Sequence, residues 1–306
     1  MTPQQILIDL FPGNLKRYIE TKKNGKGFVT VYAKANGEDR LLTDEAYGQH
    51  VDPKDPTGIG VCPDRNGYCK FATIDVDDPS VDIKKLNQRI QILGLPLVLY
   101  KSKSKGCHLV MEFTEWVETK KALKVMGFFQ GVLDCWSLRA TEGQPPRLIK
   151  PEIYPKGDNR INLPYFYHNG SVTRTALGQD NEDLYIDEAW ERANSLRQNN
   201  NSINQFYVLG SKAIAGQYDI NFNVALWFKK TKPKDWKDLL KKFNQEHIEP
   251  PTEDKWITHI IKSHEKTDYD WQKTIEQPSP QDIIYEEEQK EFFENIWYIK
   301  QDDRFW

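Results

Sequence analysis

The sequence of 306 residues has only four cysteines, three methionines and no long apolar run. With so few cysteines, the chain is not a disulfide-stabilised secreted scaffold, and a reducing compartment is the default. Its apolar segments fall far short of the roughly 20 residues needed to span a bilayer. The N-terminal segment MTPQQILIDLFPGN has no basic stretch followed by a long apolar one. We therefore expect no signal peptide, no membrane partner and a cytoplasmic protein.

The chain also lacks an excess of positive charge. Its 42 basic and 45 acidic residues give a net charge of −3, which argues against a simple basic coat on nucleic acid. The charge is nevertheless uneven, because residues 276–306 carry a net charge of −6 and residues 101–160 carry +4. Local patches guide ligands more than net charge does, so the basic stretch is the place to look for an anionic ligand.

Hydrophobic periodicity predicts an α+β fold. A strand over 69–77, a helix over 80–93, strands over 96–101 and 106–113, a helix over 118–136 and a short strand at 160–166 follow one another. Strands and helices in this order are typical of an α+β domain. From residue 203 the pattern is mainly helical, and the polar run at 198–202 before it predicts a linker.

Two aspartates close the strand predicted over 69–77. Residues two apart in a strand project to the same face, so Asp75 and Asp77 are expected to project together. Adjacent carboxylates repel unless a cation lies between them, and Mg²⁺ takes oxygen ligands of this kind. The pair therefore indicates a divalent-metal site. The alternative is a solvated strand end or a helix cap.

A basic turn at residues 101–106, KSKSKG, joins the next two predicted strands. Its lysines and serines can bind phosphate through charge and hydroxyl donors, and Gly106 permits close approach of the backbone. His108 follows at the start of the next strand and can donate to a phosphate oxygen. The alternative is a basic surface turn with His108 packed. The predicted phosphate-binding residues are Ser102, Lys103, Ser104, Lys105 and His108.

A third acid, Glu152, lies between Lys150 and Lys156 in the segment PEIYPKGDNRINLPY. Read alone, this segment is an ordinary loop with one acid among bases. Taken in order, however, the features resemble the archaeo-eukaryotic primase superfamily, and most closely the primase–polymerases of phages and plasmids. The resemblance rests on a strand ending in Asp-x-Asp, a basic turn with small-x-His, an acid before Tyr-Pro-Lys, and an Asn-x-Ile-x-Leu-Pro strand. It covers residues 45–168 well and 1–44 loosely; His50 and Gly58-Ile59-Gly60 also fit.

The resemblance implies a DNA primase and DNA-directed DNA polymerase that uses Mg²⁺ or Mn²⁺, copies single-stranded DNA and takes dNTPs or NTPs. It implies an RRM-like catalytic sheet with flanking helices. The matching metal ligands are Asp75, Asp77 and Glu152, with Asp158 as the alternative third ligand, because the register before the proline can differ by one. The nucleotide-binding second motif matches His108, and Asn159 matches the asparagine before the Ile-x-Leu-Pro strand.

The resemblance extends to the domain order. Residues 1–197 correspond to the primase-polymerase catalytic domain, 198–202 to a linker and 203–275 to a small helical domain. The acidic tail over 276–306 ends in Phe305-Trp306, and we expect it to lead into a helicase domain downstream. The chain itself contains no GxxxxGK[ST] loop, so no P-loop motor lies within it. A phage origin would place the protein in the cytoplasm of a bacterial host.

A lysine cluster over 229–242 alternates with Trp227, Phe228 and Trp236. Lysines can follow a template strand through phosphate contacts while aromatic rings stack on bases. The alternative, which we favour, is a solvated amphipathic helix with its aromatic side chains in the core. The residues predicted to contact DNA are Lys150, Lys156, Arg160, Lys229 and Lys230.

Two other functions stay open. A metal-dependent nuclease would use the same carboxylates, although the basic turn with His108 suits a triphosphate better than a water nucleophile. A non-catalytic origin-binding or replication-accessory protein would bind DNA through the lysine cluster and would need neither Asp75 nor Asp77.

Overall fold

The computed structural model describes residues 1–267 apart from 17, 25–26, 33, 36–37, 40, 104–105, 134–136, 140–146, 150, 169, 213–219 and 249–250. Within this range it gives only the backbone for 22–24, 27–32, 34–35, 38–39, 137–139, 147–149 and 211–212. The predictions made for Ser104, Lys105, Lys150 and the acidic tail over 276–306 lie outside the described residues.

The helices are α1 (Pro3–Leu10), α2 (Asp44–His50), α3 (Ile83–Leu93), α4 (Thr119–Leu133), α5 (Ile186–Leu196), α6 (Asn200–Lys212), α7 (Ile220–Thr231), α8 (Trp236–His247) and α9 (Asp254–Lys266). The strands are β1 (Tyr18–Asn24), β2 (Gly27–Tyr32), β3 (Lys34–Ala35), β4 (Glu38–Asp39), β5 (Gly58–Val61), β6 (Tyr68–Val76), β7 (Val98–Lys101), β8 (Cys107–Glu118), β9 (Ser137–Arg139), β10 (Arg147–Ile149), β11 (Glu152–Tyr154), β12 (Ile161–Asn162), β13 (Phe166–His168) and β14 (Ser171–Thr173).

The central sheet has the strand order β11-β6-β8-β7, and every neighbouring pair is antiparallel. Along the chain its elements follow as β6, α3, β7, β8, α4 and β11. The predicted α+β fold is therefore confirmed. The last strand of this sheet differs from the prediction: it is β11, in the segment that reads alone as a loop, whereas the strand predicted at 160–166 contributes β12 to a smaller sheet.

Local signals set the ends of α3, one of the two helices of this unit. The carboxylate of Asp82 accepts hydrogen bonds from the backbone N–H groups of Lys84 and Lys85, both at 3.1 Å. Gly94 ends the helix in the left-handed conformation, with φ of 62°. The helix predicted over 80–93 thus begins at Ile83, because Asp82 provides the cap.

Alternation along the strands gives the central sheet two buried faces. On the first face, Ala72, Ile74 and Val76 of β6 join α3 and α4 in one hydrophobic cluster. On the second face, Phe71 of β6 and Val110 of β8 join α1, α2 and β5 in another cluster. Asp75 lies on this second face, four residues after Phe71, so it lies beside a packed region.

A smaller sheet, in the order β12-β5-β1-β2, contributes to the second cluster. His50 ties this sheet to the segment before β13. Its Nδ1 accepts from the backbone N–H of Ile59 at 3.0 Å, so Nε2 carries the proton and donates to the carbonyl of Pro164 at 2.8 Å. Burial lowers the pKa of His50 to about 3, so the ring is neutral and its role is structural.

The helices α6 to α9 pack into the first cluster together with the central sheet. Trp227 of α7 and Leu240 of α8 belong to the same cluster as Ile74. The indole N–H of Trp227 donates to the carbonyl of Leu93 at the end of α3, at 2.7 Å. The mainly helical character predicted from residue 203 is confirmed. None of the helices in the described part of the chain is both long and apolar enough to cross a membrane.

Residues 198–202 do not form the irregular linker that their polar composition predicts. The backbone N–H of Gln198 donates to the carbonyl of Glu112 in β8, and Gln198 accepts from the N–H of Thr114, both at 3.0 Å. The side chain of Asn199 then accepts from the N–H of Ser202 at 3.0 Å, in the manner of a helix cap, and α6 begins at Asn200. The polar run thus starts a helix, while the domain boundary stays a prediction.

Candidate metal and nucleotide site

Four polar side chains form one row across the central sheet. Glu152 of β11 pairs with Asp75 of β6, Asp75 pairs with His108 of β8, and His108 pairs with Tyr100 of β7. Residues directly opposite each other on neighbouring strands project to the same face of a sheet. The pairing therefore brings three of the predicted site residues together from three separate segments of the chain.

The carboxylates at this end of the sheet repel one another. Asp77 follows directly after β6, and its side chain is exposed, whereas Asp75 is largely buried. Burial, followed by the negative charges of Asp77 and Glu152, raises the pKa of Asp75 from 3.8 to about 7. Three acids thus share one region of negative potential.

His108 adds no balancing charge to this region. Its Nε2 lies 3.4 Å from Oδ1 of Asp75, a distance compatible with an ion pair. However, burial, followed by the positive charge of Arg174, lowers the pKa of His108 to about 4. The imidazole is therefore neutral at pH 7, and the contact is not an ion pair. Oδ1 of Asp75 is buried and accepts no hydrogen bond from the described residues.

This donor set suits a hard divalent cation. Asp75, Asp77 and Glu152 offer the carboxylate oxygens that Mg²⁺ and Mn²⁺ prefer, and a cation would satisfy the unbonded oxygen of Asp75. Across the described part of the chain, no three acidic, histidine or cysteine side chains already stand close enough to coordinate one ion. The residue types fit the metal, and side-chain rotation would be needed to bring all three onto it.

Glu152 currently faces a lysine. Its carboxylate accepts from Lys156 Nζ at 2.8 Å and from the Tyr154 hydroxyl at 3.0 Å. The bond from Lys156 lowers the pKa of Glu152, so this acid is ionised. Asp158, the alternative third ligand, lies in the exposed turn after β11, whereas the register puts Glu152 directly opposite Asp75. The backbone pairing thus favours Glu152.

The basic turn lies against the end of β6. The N–H of Ser102 donates to the carbonyl of Gly106 at 3.0 Å and closes the turn. A Cβ atom at position 106 would stand 1.9 Å from the carbonyl oxygen of Val76, so only glycine fits there. This close approach brings the turn beside Asp77. Within the turn, Lys103 is exposed, while Lys101 forms an ion pair with Asp183.

The other predicted ligands near the site are more exposed. Asn159 lies in the turn after β11, where its backbone N–H donates to the carbonyl of Lys156 at 3.0 Å. Arg160 is half-buried directly before β12. Of the residues predicted to contact DNA, Lys156 and Arg160 therefore lie on the chain between Glu152 and the smaller sheet.

The lysine cluster over 229–242, which runs from the end of α7 into α8, is placed differently. Trp227, Phe228 and Trp236 are buried, as the favoured alternative expects, so their rings are not available to stack on bases. Lys229 donates to the carbonyls of His264, at 2.5 Å, and Thr267, at 2.8 Å, at the end of α9. This lysine therefore stabilises a helix end.

Sequence reasoning missed Arg174, which lies between β14 and the edge of the central sheet. Its guanidinium is buried, donates to the carbonyl of Leu163 at 3.0 Å and lies 5.1 Å from the ring centre of Phe166. No motif surrounds it in the sequence. The available signal was a single arginine directly before the segment Thr175-Ala176-Leu177.

Compared with known proteins, the chain matches no family model and no curated protein. The primase resemblance therefore rests on the residues and on their arrangement.

Proposed function

We propose that the protein is a metal-dependent nucleotidyltransferase of the primase–polymerase type, acting on a single-stranded DNA template. The observation that supports this most is the paired row of Glu152, Asp75 and His108, with Asp77 directly after the end of β6. Three of the four features on which the resemblance rests contribute a residue to that row. A carboxylate cluster beside a basic turn suits transfer from a nucleoside triphosphate.

The topology supports the finer reading of the fold as an RRM-like sheet. A split β-α-β-β-α-β unit with its fourth strand next to its first, and its third next to its second, has this arrangement. The row of polar residues lies on the face opposite α3 and α4. In RRM-type sheets that face meets the nucleic acid.

Asp75, Asp77 and Glu152 would hold the cation. When bound, a divalent cation lowers the pKa of the attacking hydroxyl and neutralises charge on the leaving pyrophosphate. Asp75 serves as a ligand only in its ionised form, which its pKa of about 7 makes available at and above neutral pH. At neutral pH Asp75 is thus close to its pKa, and a bound cation would favour its ionised form.

The reaction itself forms one bond and breaks one. The 3′-hydroxyl of a primer, or of a first nucleotide, attacks the α-phosphate of the incoming nucleotide, and pyrophosphate leaves. No covalent intermediate with the protein is needed, so positioning and charge stabilisation account for the rate. Neutral His108 keeps an N–H that can donate to a phosphate oxygen, and Ser102 and Lys103 lie in the adjacent turn.

The partners implied are single-stranded DNA, dNTPs or NTPs, and a helicase domain downstream. The expected place of action is the cytoplasm, of a bacterial host if the protein is phage-encoded. Asp77, Lys103 and Lys156 are all exposed at this end of the sheet, so ligands can reach it from solvent.

The test is synthesis on primed and unprimed single-stranded DNA with labelled dNTPs or NTPs and Mg²⁺ or Mn²⁺. Wild type is compared with an Asp75→Asn/Asp77→Asn double variant and with Asp238→Asn, an exposed acid on α8, as a matched control. We expect product from wild type and from the control only. Product on the unprimed template makes the protein a primase as well.

Other outcomes separate the rival functions. A shortened template that depends on Asp75 and Asp77 would identify a nuclease. DNA binding without synthesis or cleavage, and equal in the double variant, would identify an accessory protein. Synthesis that survives in the double variant would remove Asp75 and Asp77 from the site.

A further inference from the structure

Arg174 lies at the edge of the central sheet beside β7. Ala176 bridges to Tyr100, while Lys101 donates its N–H to the carbonyl of Thr175 and Leu177 donates to Leu99, both at 2.9 Å. Tyr100 in turn pairs with His108, so Ala176 lies next to the end of the polar row, beyond Tyr100. Arg174 stands two residues beyond the row, on the side of the basic turn.

The guanidinium of Arg174 is a buried charge without a counter-charge. The residue is only 5% exposed, and its Nε has no hydrogen-bond partner. No carboxylate of the described residues lies within ion-pair distance of it. The carbonyl of Leu163 and the face of Phe166 contact the group without neutralising it. A buried charge with no partner is expensive, so such a group is expected to serve an anion.

The backbone conformation of Arg174 also indicates a ligand site. Its φ of 59° lies in the left-handed region, which residues other than glycine, asparagine and aspartate seldom occupy. Strain of this kind persists where the surrounding structure imposes it, and it concentrates at ligand sites. Here the pairing of residues 175–177 with β7 on one side and the hairpin β13–β14 on the other fixes the position.

The positive charge of Arg174 acts on the second face of the sheet. It is one of the causes that lower the pKa of both His108 and His50, and both rings are neutral. In the sheet, His108 pairs with Asp75 on one side and with Tyr100 on the other, and Tyr100 bridges to Ala176, two residues from Arg174. An anion bound at His108 would therefore have the carboxylates on the β6 side and the segment that carries Arg174 on the β7 side.

We propose that Arg174 binds the phosphates of the incoming nucleoside triphosphate, together with His108. This inference rests on the proposed function, and it assigns the residue a specific ligand chemistry, a polyphosphate. A guanidinium presents several N–H donors in a planar fork that matches phosphate oxygens. The Leu163 carbonyl and the Phe166 ring hold the group in place before the ligand arrives.

Binding is the measurement that tests the proposal, with Mg²⁺ present throughout. The probes are a dNTP, inorganic tripolyphosphate, the uncharged deoxynucleoside and a single-stranded oligodeoxynucleotide. The variants are Arg174→Gln and Arg174→Lys. Arg197→Gln is the matched control, because Arg197 pairs with Asp9 at 2.6 Å and lies outside the row. Titration calorimetry gives the dissociation constants, and thermal unfolding without ligand reports the stability of each variant.

We expect Arg174→Gln to bind dNTP and tripolyphosphate at least 10-fold more weakly, with Arg174→Lys intermediate. DNA binding should stay unchanged, and Arg197→Gln should bind every probe like wild type. Without ligand, Arg174→Gln should be at least as stable as wild type, because it removes an unpaired buried charge. If Arg174 were purely structural, Arg174→Gln would instead lower the stability and leave the affinity for dNTP and tripolyphosphate unchanged.

The inference is overturned if Arg174→Gln and Arg174→Lys bind dNTP and tripolyphosphate as wild type does, or if wild type binds neither. Loss of DNA binding alone would move the ligand to the template backbone and would also overturn it. The proposed function fails separately: wild type would then bind tripolyphosphate through Arg174 but incorporate no nucleotide. Conversely, if wild type synthesises DNA and Arg174→Gln binds nucleotide normally, only this inference is overturned and the proposed function stands.

Discussion

Asp75 is a buried carboxylate whose surroundings oppose its ionisation. Its pKa is about 7 in the folded protein and near 3.8 in an unfolded chain. Between these values the folded protein binds more protons, so its stability falls as the pH rises through that window. Ionised Asp75 is also the form that would serve as a ligand of the proposed cation. Protonation therefore stabilises the metal-free protein and opposes the metal.

We expect Asp75→Asn to remove this pH dependence. In EDTA at pH 8 the variant should be more stable than wild type by about 2 kcal/mol, because it lacks a buried, repelled charge. At pH 4 the difference should vanish. Urea unfolding of both proteins at several pH values measures this. Glu112, whose buried carboxyl has a pKa of about 8, is present in both, so the comparison isolates Asp75.

Adding Mg²⁺ at pH 8 should raise the stability of wild type and leave Asp75→Asn unchanged. Equal stabilisation of both proteins would place the cation elsewhere. A wild-type stability that rises between pH 4 and 7 in EDTA, relative to the variant, would contradict the raised pKa.

Gly106 is the residue that allows the basic turn to touch β6. A Cβ atom there would stand 1.9 Å from the Val76 carbonyl oxygen, so Gly106→Ala must displace the turn or the strand end. We expect a loss of about 1–3 kcal/mol in stability and weaker nucleotide binding. Thermal unfolding and dNTP titration check both effects.

Gly127→Ala in α4 is the control for this substitution. Its Cβ would meet only Cδ1 of Ile153, at 3.8 Å, which is ordinary contact. Alanine also favours a helix over glycine by about 1 kcal/mol. The control should therefore be as stable as wild type or more so. If Gly106→Ala behaves like it, the close approach is not required.

Single residues divide into those that local sequence could predict and those that it could not. Asp75 and Asp77 drew attention because strand alternation is a short-range rule, and His108 because it follows a basic turn; their roles at a metal or nucleotide stay predictions. The capping role of Asn199 was missed, since a polar run has the same composition in a linker and at a helix start. Arg174 was missed because its burial arises from the pairing of residues 175–177 with β7, which no local pattern encodes.

At the scale of elements, the pairing of β11 decides which acid lies opposite Asp75. β11 pairs with β6 from Glu152 to Tyr154, which sets Glu152 opposite Asp75 and leaves Asp158 in the following turn. A shift by one residue would turn Glu152 to the other face of the sheet. The sequence left Glu152 and Asp158 open, because register depends on the partner strand.

We expect Glu152→Gln to lower the rate of nucleotide incorporation about 100-fold, through loss of a charged oxygen at the metal. Asp158→Asn should keep nearly full activity. Steady-state incorporation on a primed template, at saturating Mg²⁺, compares the two. The reverse ranking would show that the acid of the exposed turn, and not the acid of β11, completes the site.

The end of α9 is held by a lysine from α7. Lys229 donates to two terminal carbonyls of α9, where a positive charge also complements the helix dipole. We expect Lys229→Met to lower the free energy of unfolding by about 1–2 kcal/mol and to leave DNA affinity unchanged. Lys234→Met, at an exposed lysine, is the control. Weaker DNA binding with unchanged stability would restore Lys229 to a DNA-binding role.

At the scale of the whole molecule, one hydrophobic cluster runs from the central sheet into the helices after residue 203. Arg89 of α3 strengthens the connection by donating to the carbonyls of Leu133, at 2.7 Å, and His247, at 2.8 Å. The sequence predicted two domains because composition changes at 198–202. Composition records how polar a segment is, whereas the extent of a core depends on which apolar faces meet.

The continuous core predicts that the sheet and the later helices unfold together. Trp227→Ala removes a buried ring that packs on Phe129 and Phe206 and bonds to Leu93, so we expect a loss of about 3–5 kcal/mol. Because the cluster is shared, hydrogen exchange should accelerate to a similar degree in β6 and in α8. Native-state exchange read by mass spectrometry on the full chain measures both segments at once. Faster exchange in α7 to α9, with β6 protected as in wild type, would instead show two units that unfold separately. The boundary near 198–202 would then be a true domain boundary, and the central sheet that carries Asp75 and Glu152 would stay folded without the helices.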